Sequence, residues 1–293
     1  MAGQSVALPS PTDPTPRWQP VQLALSDGAT VVAKDDPFSD RIRCDHPVAC
    51  AAESLDRELV DAARERQRGR VVLLARASMR SGLEACGMTR EATMPGFYDG
   101  REDCDVFGYA IDPSRSRLAA PQAVGEVDEL IGKVKPGRDR AAPPTERAAT
   151  ADAEAIAALV ADTFQHYPTP TGNTAYVADQ IAAGTPFRIV RDGDAVVACA
   201  SADLVRGACT AELTDCATRP DQRGRGLMQG LLSDLMDDLR ALRYPTAFTL
   251  ARASVAGVNL AFQRLGFVWR GQMTRSCRIG GGIEDMNVWS RAL

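Results

Sequence analysis

Ten residues, Arg219-Pro220-Asp221-Gln222-Arg223-Gly224-Arg225-Gly226-Leu227-Met228, constrain this chain more than any other stretch. The run before them, Ala211 to Thr218, has the character of a strand. The run after them places Leu227, Leu231, Leu235, Leu239 and Leu242 on one face of a helix. Strand, glycine-rich turn and long helix, in that order, aim unpaired backbone N–H groups at an anion. Gly224 and Gly226 allow close approach of the backbone to a ligand. Arg219, Arg223 and Arg225 add positive charge at the positive end of the helix dipole. The stretch reads as a pyrophosphate site. A Walker A loop is excluded because Gly-Lys-Ser/Thr is absent. A dinucleotide fingerprint fails because Gly230 falls one place late and the loop does not open an alternating βαβ series.

The pattern that fits is Arg/Gln-x-x-Gly-x-Gly/Ala, here Arg223-Gly224-Arg225-Gly226-Leu227-Met228 with Met228 in the last position. It resembles the coenzyme A loop of the GCN5-related N-acetyltransferases (GNAT).

The order of elements around the loop agrees. From Glu146 the residues predict a short strand, a helix after Thr150 carrying Ile156, Leu159 and Val160, and a second helix over 174–183. Strands follow at 186–191 and 195–204, joined by Asp192-Gly193-Asp194, a hairpin signal. After the loop and its helix come a strand at 246–253, a helix at 258–265 closed by Gly266, and strands at 267–278 and 285–291. This is the acetyltransferase order. The expected fold class is α/β (α+β): a mixed, mostly antiparallel GNAT sheet flanked by helices, with a diverged half-GNAT-like domain before it.

That second expectation rests on an internal repeat. Leu74-Ala75-Arg76-Ala77-Ser78 recurs as Leu250-Ala251-Arg252-Ala253-Ser254, and Glu102-Asp103-Cys104-Asp105-Val106-Phe107 parallels Glu284-Asp285-Met286-Asn287-Val288-Trp289. Each first motif precedes a short helix ending in glycine, Gly87 and Gly266. The N-terminal copy has no phosphate loop and is expected to bind no coenzyme A. Features present in both copies, such as Arg76 with Arg252 and Asp103 with Asp285, point to shared architecture. Features found in the second copy alone point to chemistry. The expected domains are a disordered, proline-rich tail (1–20), the N-terminal copy (21–112), a linker with a short helix near 126–131 (113–145) and the catalytic domain (146–293).

Net charge is −4, which does not favour a nucleic-acid partner, and no apolar run approaches a membrane span. No secretory signal is recognisable at the start, so a cytoplasmic location is expected. Eight scattered cysteines without C-x-x-C, and two histidines, argue for free thiols and against a metal site.

A more particular resemblance appears in Ala211-Glu212-Leu213-Thr214-Asp215, Thr249-Leu250-Ala251-Arg252-Ala253, Gly257-Val258-Asn259 and Gly282 through Trp289. Tyr167-Pro168 with Pro170, and Gly96-Phe97-Tyr98-Asp99-Gly100, add to it. Together they are similar to the beta-lysine N-acetyltransferases. The resemblance implies acetyl transfer from acetyl-CoA to the terminal amine of beta-lysine, giving an osmolyte, with a lysine 2,3-aminomutase supplying the substrate. Another small amine, or a non-catalytic acetyl-CoA-binding module, remains an alternative.

Amine acetylation needs a neutral amine. A lysine-like ammonium has a pKa of about 10.4, so a base must take its proton. Glu212, beside the loop, is the first candidate and Asp215 the second. Strand alternation puts them on opposite faces unless a bulge intervenes. Backbone groups of Cys216, Ala217 and Thr218 are candidates for the oxyanion and the pantetheine arm. Arg223, Gly224, Arg225, Gly226, Leu227 and Met228 are the candidates for the pyrophosphate. Asn259 matches the family's helix residue that contacts coenzyme A. Three residues on, where the family carries its general-acid tyrosine, stands Phe262. Tyr167 and Tyr244 are possible substitutes. Tyr167, Arg252, Glu284 and Asp285, with Asp203, are the substrate-binding candidates.

Overall fold

The computed structural model describes residues 8–134 and 144–293. The first half comprises β1 (Gln19–Ala24), β2 (Thr30–Asp36), β3 (Arg41–Asp45), α1 (Ala52–Glu65), β4 (Arg70–Arg76), α2 (Arg80–Ala85), β5 (Thr89–Tyr98) and β6 (Glu102–Ala110). Helix α3 (Pro121–Lys133) follows. The second half comprises β7 (Glu146–Arg147), α4 (Ala153–Thr163), α5 (Thr174–Ala182), β8 (Phe187–Asp192), β9 (Ala195–Val205), β10 (Thr210–Thr218), α6 (Leu227–Ala241), β11 (Thr246–Arg252), α7 (Ala256–Arg264), β12 (Val268–Ile279) and β13 (Gly282–Ala292).

Among the described residues all the strands join in one sheet, ordered β1-β2-β3-β4-β6-β5-β12-β13-β11-β10-β9-β8-β7. Read outward from the β5–β12 join, the order is the same in both directions. β3 runs parallel to β4 as β10 runs parallel to β11, and every other neighbouring pair given a register is antiparallel. The expected repeat is therefore present. It is longer than the motifs suggested: β1 through β6 match β8 through β13. At the join Gly271 pairs with Ala92. A Cβ on Gly271 would meet the Glu91 carbonyl at 2.0 Å, and its φ of +147° suits glycine.

Three apolar clusters hold the layers. The continuous run Val71-Val72-Leu73-Leu74 feeds two of them, because β4 is buried on both faces. Val71 and Leu73 lie with Leu55 and Leu59 of α1 on the outer face. Val72 and Leu74 lie on the inner face with Ile156 and Val160 of α4, Val177 of α5 and Phe248 of β11. The third cluster packs Leu231, Leu235 and Leu239 of α6 and Phe262 of α7 against Ala211, Leu213 and Trp289. The inner-face cluster draws on both halves, so the halves share a core.

Two boundary expectations change. The tail expected to be disordered is 1–20; its residues 1–7 lie outside the described residues, and in 8–20 Arg17 is buried and anchors the segment. Its guanidinium donates to the backbone oxygens of Thr15 (2.6 Å), Ser10 (2.7 Å) and Tyr167 (3.5 Å) and lies over the Phe38 ring. The segment 113–145 is more than a linker. Pro121 opens a helix running to Lys133, and Gln263 of α7 donates to the carbonyls of Ile131 and Val134. Arg115 is buried and ties Ser39 of the first half to Arg275 of the second. Pro136 and Pro143 lie outside the described residues.

Candidate active site

β10 and β11 pair over only three residues, Thr210–Glu212 with Thr246–Phe248, and then diverge. Divergence follows from β10 itself. Its register with β9 slips between Thr214 and Ala217, where Asp215 takes a left-handed φ of 50°. This is a β-bulge, with two residues facing one. Beyond Glu212 the edge of β10 toward β11 is open, over the residues expected to carry the oxyanion site, Cys216, Ala217 and Thr218. Ala217 is buried, Cys216 and Thr218 are half-buried, and burial pushes the Cys216 thiol up, keeping it protonated.

The loop then turns into α6. Gly224 (φ 77°) and Gly226 (φ 80°) both sit in the left-handed region, and Gly226 is the N-cap. No side chain caps α6, and the first helical bond comes from the Gly230 N–H to Gly226. The N–H groups of Leu227, Met228 and Gln229 thus precede the ladder and point out of the helix end. Leu227 is buried under α6 and Met228 is half-buried against the same cluster. Arg223 and Arg225 are exposed beside this end. Arg223 Nε donates to the Thr218 carbonyl, Arg225 to the Gln222 side chain, and Arg219 pairs with Asp221. The arrangement is a set of free N–H donors with exposed cations around it, suited to a phosphate-bearing ligand.

The bulge also decides where the carboxylates point. Ala211 and Leu213 face outward under α6, so Glu212 faces inward. Without the bulge Asp215 would face outward. With it, Asp215 turns inward, accepting from Ser201 Oγ at 2.6 Å and Thr171 Oγ1 at 3.1 Å. Directly across from Glu212 on β9 stands Asp203. Three carboxylates therefore share one face. Burial raises the affinity of Glu212 for its proton, and Arg43 opposes this. Burial, and then Asp215 and Glu212, push Asp203 up to about 8. Asp215 is raised mainly by burial, with its hydroxyl partners pulling it back. Tyr167 lies buried beside Asp215, and burial pushes its phenol well up; Tyr176 of α5 is raised by burial next to Asp203 and Asp215. A cavity of about 320 Å³ opens at Asp203, lined by Gln180, Thr185 and Arg206 among others.

Other candidates are spoken for. Asn259 is fully buried. Its Nδ2 donates to the carbonyls of Arg252 (2.9 Å) and Val255 (2.8 Å), and its Oδ1 accepts from Asn287 (3.0 Å) and Trp289 (2.9 Å). No donor or acceptor is left for coenzyme A. Asp285 is buried too, and both oxygens take backbone N–H groups, from Arg275 and Ala119 (2.8 Å each). Its counterpart Asp103 accepts from Gly96, the counterpart of Arg275 at the other copy's bulge. Arg252 and Glu284 form a bidentate ion pair at 2.8 and 2.5 Å, mirrored by Arg76 and Glu102. These two residues, expected to bind substrate, are paired with each other as part of the repeated scaffold. Tyr244 packs against the cluster under α6 and Phe262 is fully buried, so neither lies with the carboxylates. Sequence reasoning passed over Ser201, Thr171 and Tyr176. A hydroxyl or phenol in a half-buried element carries no signal until the partner it faces is known.

Known proteins similar to this chain are acetyltransferases. Residues 153–267 match the acetyltransferase (GNAT) family. Over 250 residues the chain is 29% identical to a beta-lysine N(6)-acetyltransferase of Methanosarcina mazei, covering 77% of this chain and 92% of that protein. It is also 29% identical over 271 residues to the N-acetyltransferase YodP of Bacillus subtilis, covering 92% and 98%. Among solved structures, a phosphinothricin acetyltransferase of Sinorhizobium meliloti in complex with acetyl-CoA aligns with a TM-score of 0.45 at 22% identity, over 51% of this chain and 88% of that one. Residues 153–267 thus form a GNAT acetyltransferase domain, and the chain is an N-acetyltransferase. No helix among the described residues is long and apolar enough to cross a membrane.

Proposed function

We propose that the protein transfers an acetyl group from acetyl-CoA to the terminal amine of beta-lysine, with Glu212 as the base. The observation that carries this reading is the inward cluster of Asp203, Glu212 and Asp215 beside the opening wedge of β10 and β11. A diammonium substrate needs anions for both amines, and one of those anions must accept a proton. Asp215 is engaged by two hydroxyls, so it holds the bulge. Among the described residues no group donates a hydrogen bond to the Glu212 or Asp203 carboxylate, which leaves their oxygens open to an amine. The names of the two similar proteins support an amine acceptor, and the first supports beta-lysine.

The glycine loop, the uncapped end of α6 and Arg223 with Arg225 would hold the pyrophosphate, and the open edge of β10 at Cys216–Thr218 would take the pantetheine arm. Acetyl-CoA supplies an activated thioester carbonyl. Backbone N–H groups on that edge would stabilise the oxygen as charge develops on it. Glu212 takes one proton from the ammonium, the neutral amine attacks the thioester carbonyl, and as the carbon–sulfur bond breaks the second proton of the nitrogen passes through water to the leaving thiolate. Product use as an osmolyte, a cytoplasmic site and supply of substrate by a lysine 2,3-aminomutase belong to the same proposal.

The test is turnover read as free thiol, with beta-lysine beside alpha-lysine, spermidine and no amine. Saturable turnover preferring beta-lysine is expected. Preference for another amine would remove the substrate, and acetyl-CoA binding without turnover on any amine would remove the reaction. A second expectation concerns the loop. Gly226→Ala forces a Cβ into φ 80°, at a cost of about 1–2 kcal/mol unless the loop moves. Titration calorimetry should show acetyl-CoA binding weakened by at least about tenfold. Unchanged affinity would take the pyrophosphate away from this loop.

A further inference from the structure

The two copies can be aligned residue by residue through the sheet. Arg43 pairs with Val72 as Glu212 pairs with Phe248, and Val72 and Phe248 are equivalent in the repeat. Arg43 is therefore the counterpart of Glu212. Lys34 stands directly across from Arg43 on β2 as Asp203 stands across from Glu212 on β9, so Lys34 is the counterpart of Asp203. The correspondence continues to His46 and Asp215, both left-handed, at φ 55° and 50°. At the two positions where the second half carries carboxylates, the first half carries cations.

These positions face the same interior. Ile42 and Cys44 point outward under α1, so Arg43 and Asp45 point inward. The two walls share one buried cluster and are joined where the Asp99 N–H donates to the Ala208 carbonyl at 2.8 Å; Arg43 is the main influence opposing burial at Glu212, and Lys34 acts on Asp203. Arg43 is only partly covered, with a side-chain exposure of 16%. Its Nε donates to Asp45 at 2.7 Å, and Lys34 holds the other Asp45 oxygen at 2.8 Å. Among the described residues the two terminal nitrogens of Arg43 have no hydrogen-bond partner in the protein. A guanidinium fixed through Nε, with both outer nitrogens free, presents the fork that fits a carboxylate in bidentate fashion.

We infer that the N-terminal copy, which has no loop for coenzyme A, is the carboxylate-binding half of the acceptor site: Arg43, with Lys34 beside it, takes the carboxylate of an amino-acid substrate whose amine lies at Glu212 and Asp203. This rests on the reading of Glu212 as the amine-facing base. It adds that the acceptor must carry an anion, so the enzyme selects diamino acids over plain diamines.

The experiment compares two acceptors with the same pair of amines, beta-lysine and 1,4-diaminopentane, in the full-length wild type and in Arg43→Met, Arg43→Lys and Lys34→Met. The readout is the ratio of kcat/KM for the two acceptors, which does not depend on the fraction of folded enzyme. Wild type should prefer the acid. Arg43→Met should lose roughly 10- to 100-fold of that preference, as a rise in KM for beta-lysine with kcat within about threefold. Arg43→Lys should recover part of it, and Lys34→Met should lose less. An equal loss on both acceptors, or a change in kcat alone, would show Arg43 acting only on Glu212 and would overturn the inference. So would an unchanged ratio. If wild type prefers a different amino acid, the beta-lysine reading falls while the same ratio, taken against that acid's decarboxylated form, still tests the subsite. A wild type preferring amines without a carboxylate overturns the subsite itself.

Discussion

Glu212→Gln should lower kcat/KM for the amine by about 10²- to 10⁴-fold, the range expected for loss of a general base. Acetyl-CoA affinity should stay within about twofold, since the glutamine keeps the shape of β10 and the loop lies beyond the bulge. Retention of more than a tenth of wild-type activity would sink the assignment. The pH profile supplies a second check with a definite sign. Burial raises Glu212, and burial with the neighbouring carboxylates pushes Asp203 to about 8. Raised carboxyl groups are protonated, and inactive as bases, at low pH. Activity should therefore rise with pH as Glu212 loses its proton, above the ordinary glutamate range, and then level. In Glu212→Gln the negative neighbour of Asp203 is gone, so any residual activity should inflect at lower pH. The substrate amine titrates in the same direction near 10.4, so the profile is best taken with a less basic acceptor amine.

Asn259→Ala should be the most destabilising of these changes. It would leave the carbonyls of Arg252 and Val255 and the N–H groups of Asn287 and Trp289 without partners at a fully buried position. Each orphaned group costs about 1–3 kcal/mol before relaxation, so a total of roughly 3–5 kcal/mol is expected. In a chain of this size that lowers Tm by about 5–8 °C, measured by thermal denaturation. The folded fraction should bind acetyl-CoA normally. The opposite result, an unchanged Tm with weakened binding, would return Asn259 to the coenzyme site. The contrast matters because Asn259 sits where the family motif points, yet its side chain joins β11, α7 and β13.

Much of the fold was legible. Helix α6 follows from leucines at a spacing that makes one stripe, β4 from a short unbroken apolar run, and the β8–β9 hairpin from Asp-Gly-Asp. The repeat motifs mark β4, β6, β11 and β13 because these strands pair in the middle of each half and carry the most constrained burial. The preceding strands, β1 to β3 and β8 to β10, show no sequence kinship. Lys34 and Arg43 replace Asp203 and Glu212, and inversion of charge erases similarity while leaving register untouched. Asp285 and Glu284 read as candidates because carboxylates near a site look alike in sequence. Their bonds to backbone N–H groups and to Arg252 show a scaffold role.

The sequence by itself determined the reaction class, through a loop whose glycines, arginines and following helix are contiguous and so carry their geometry locally. Tertiary structure alone decided the proposed acceptor side. That side is built from β2, β3, β9 and β10, which lie more than 150 residues apart between copies, and a one-residue bulge in β10 selects which carboxylates meet. Side-chain direction in a strand alternates residue by residue, so one extra residue reverses it. Register, unlike the loop, exists only once the strands have found each other.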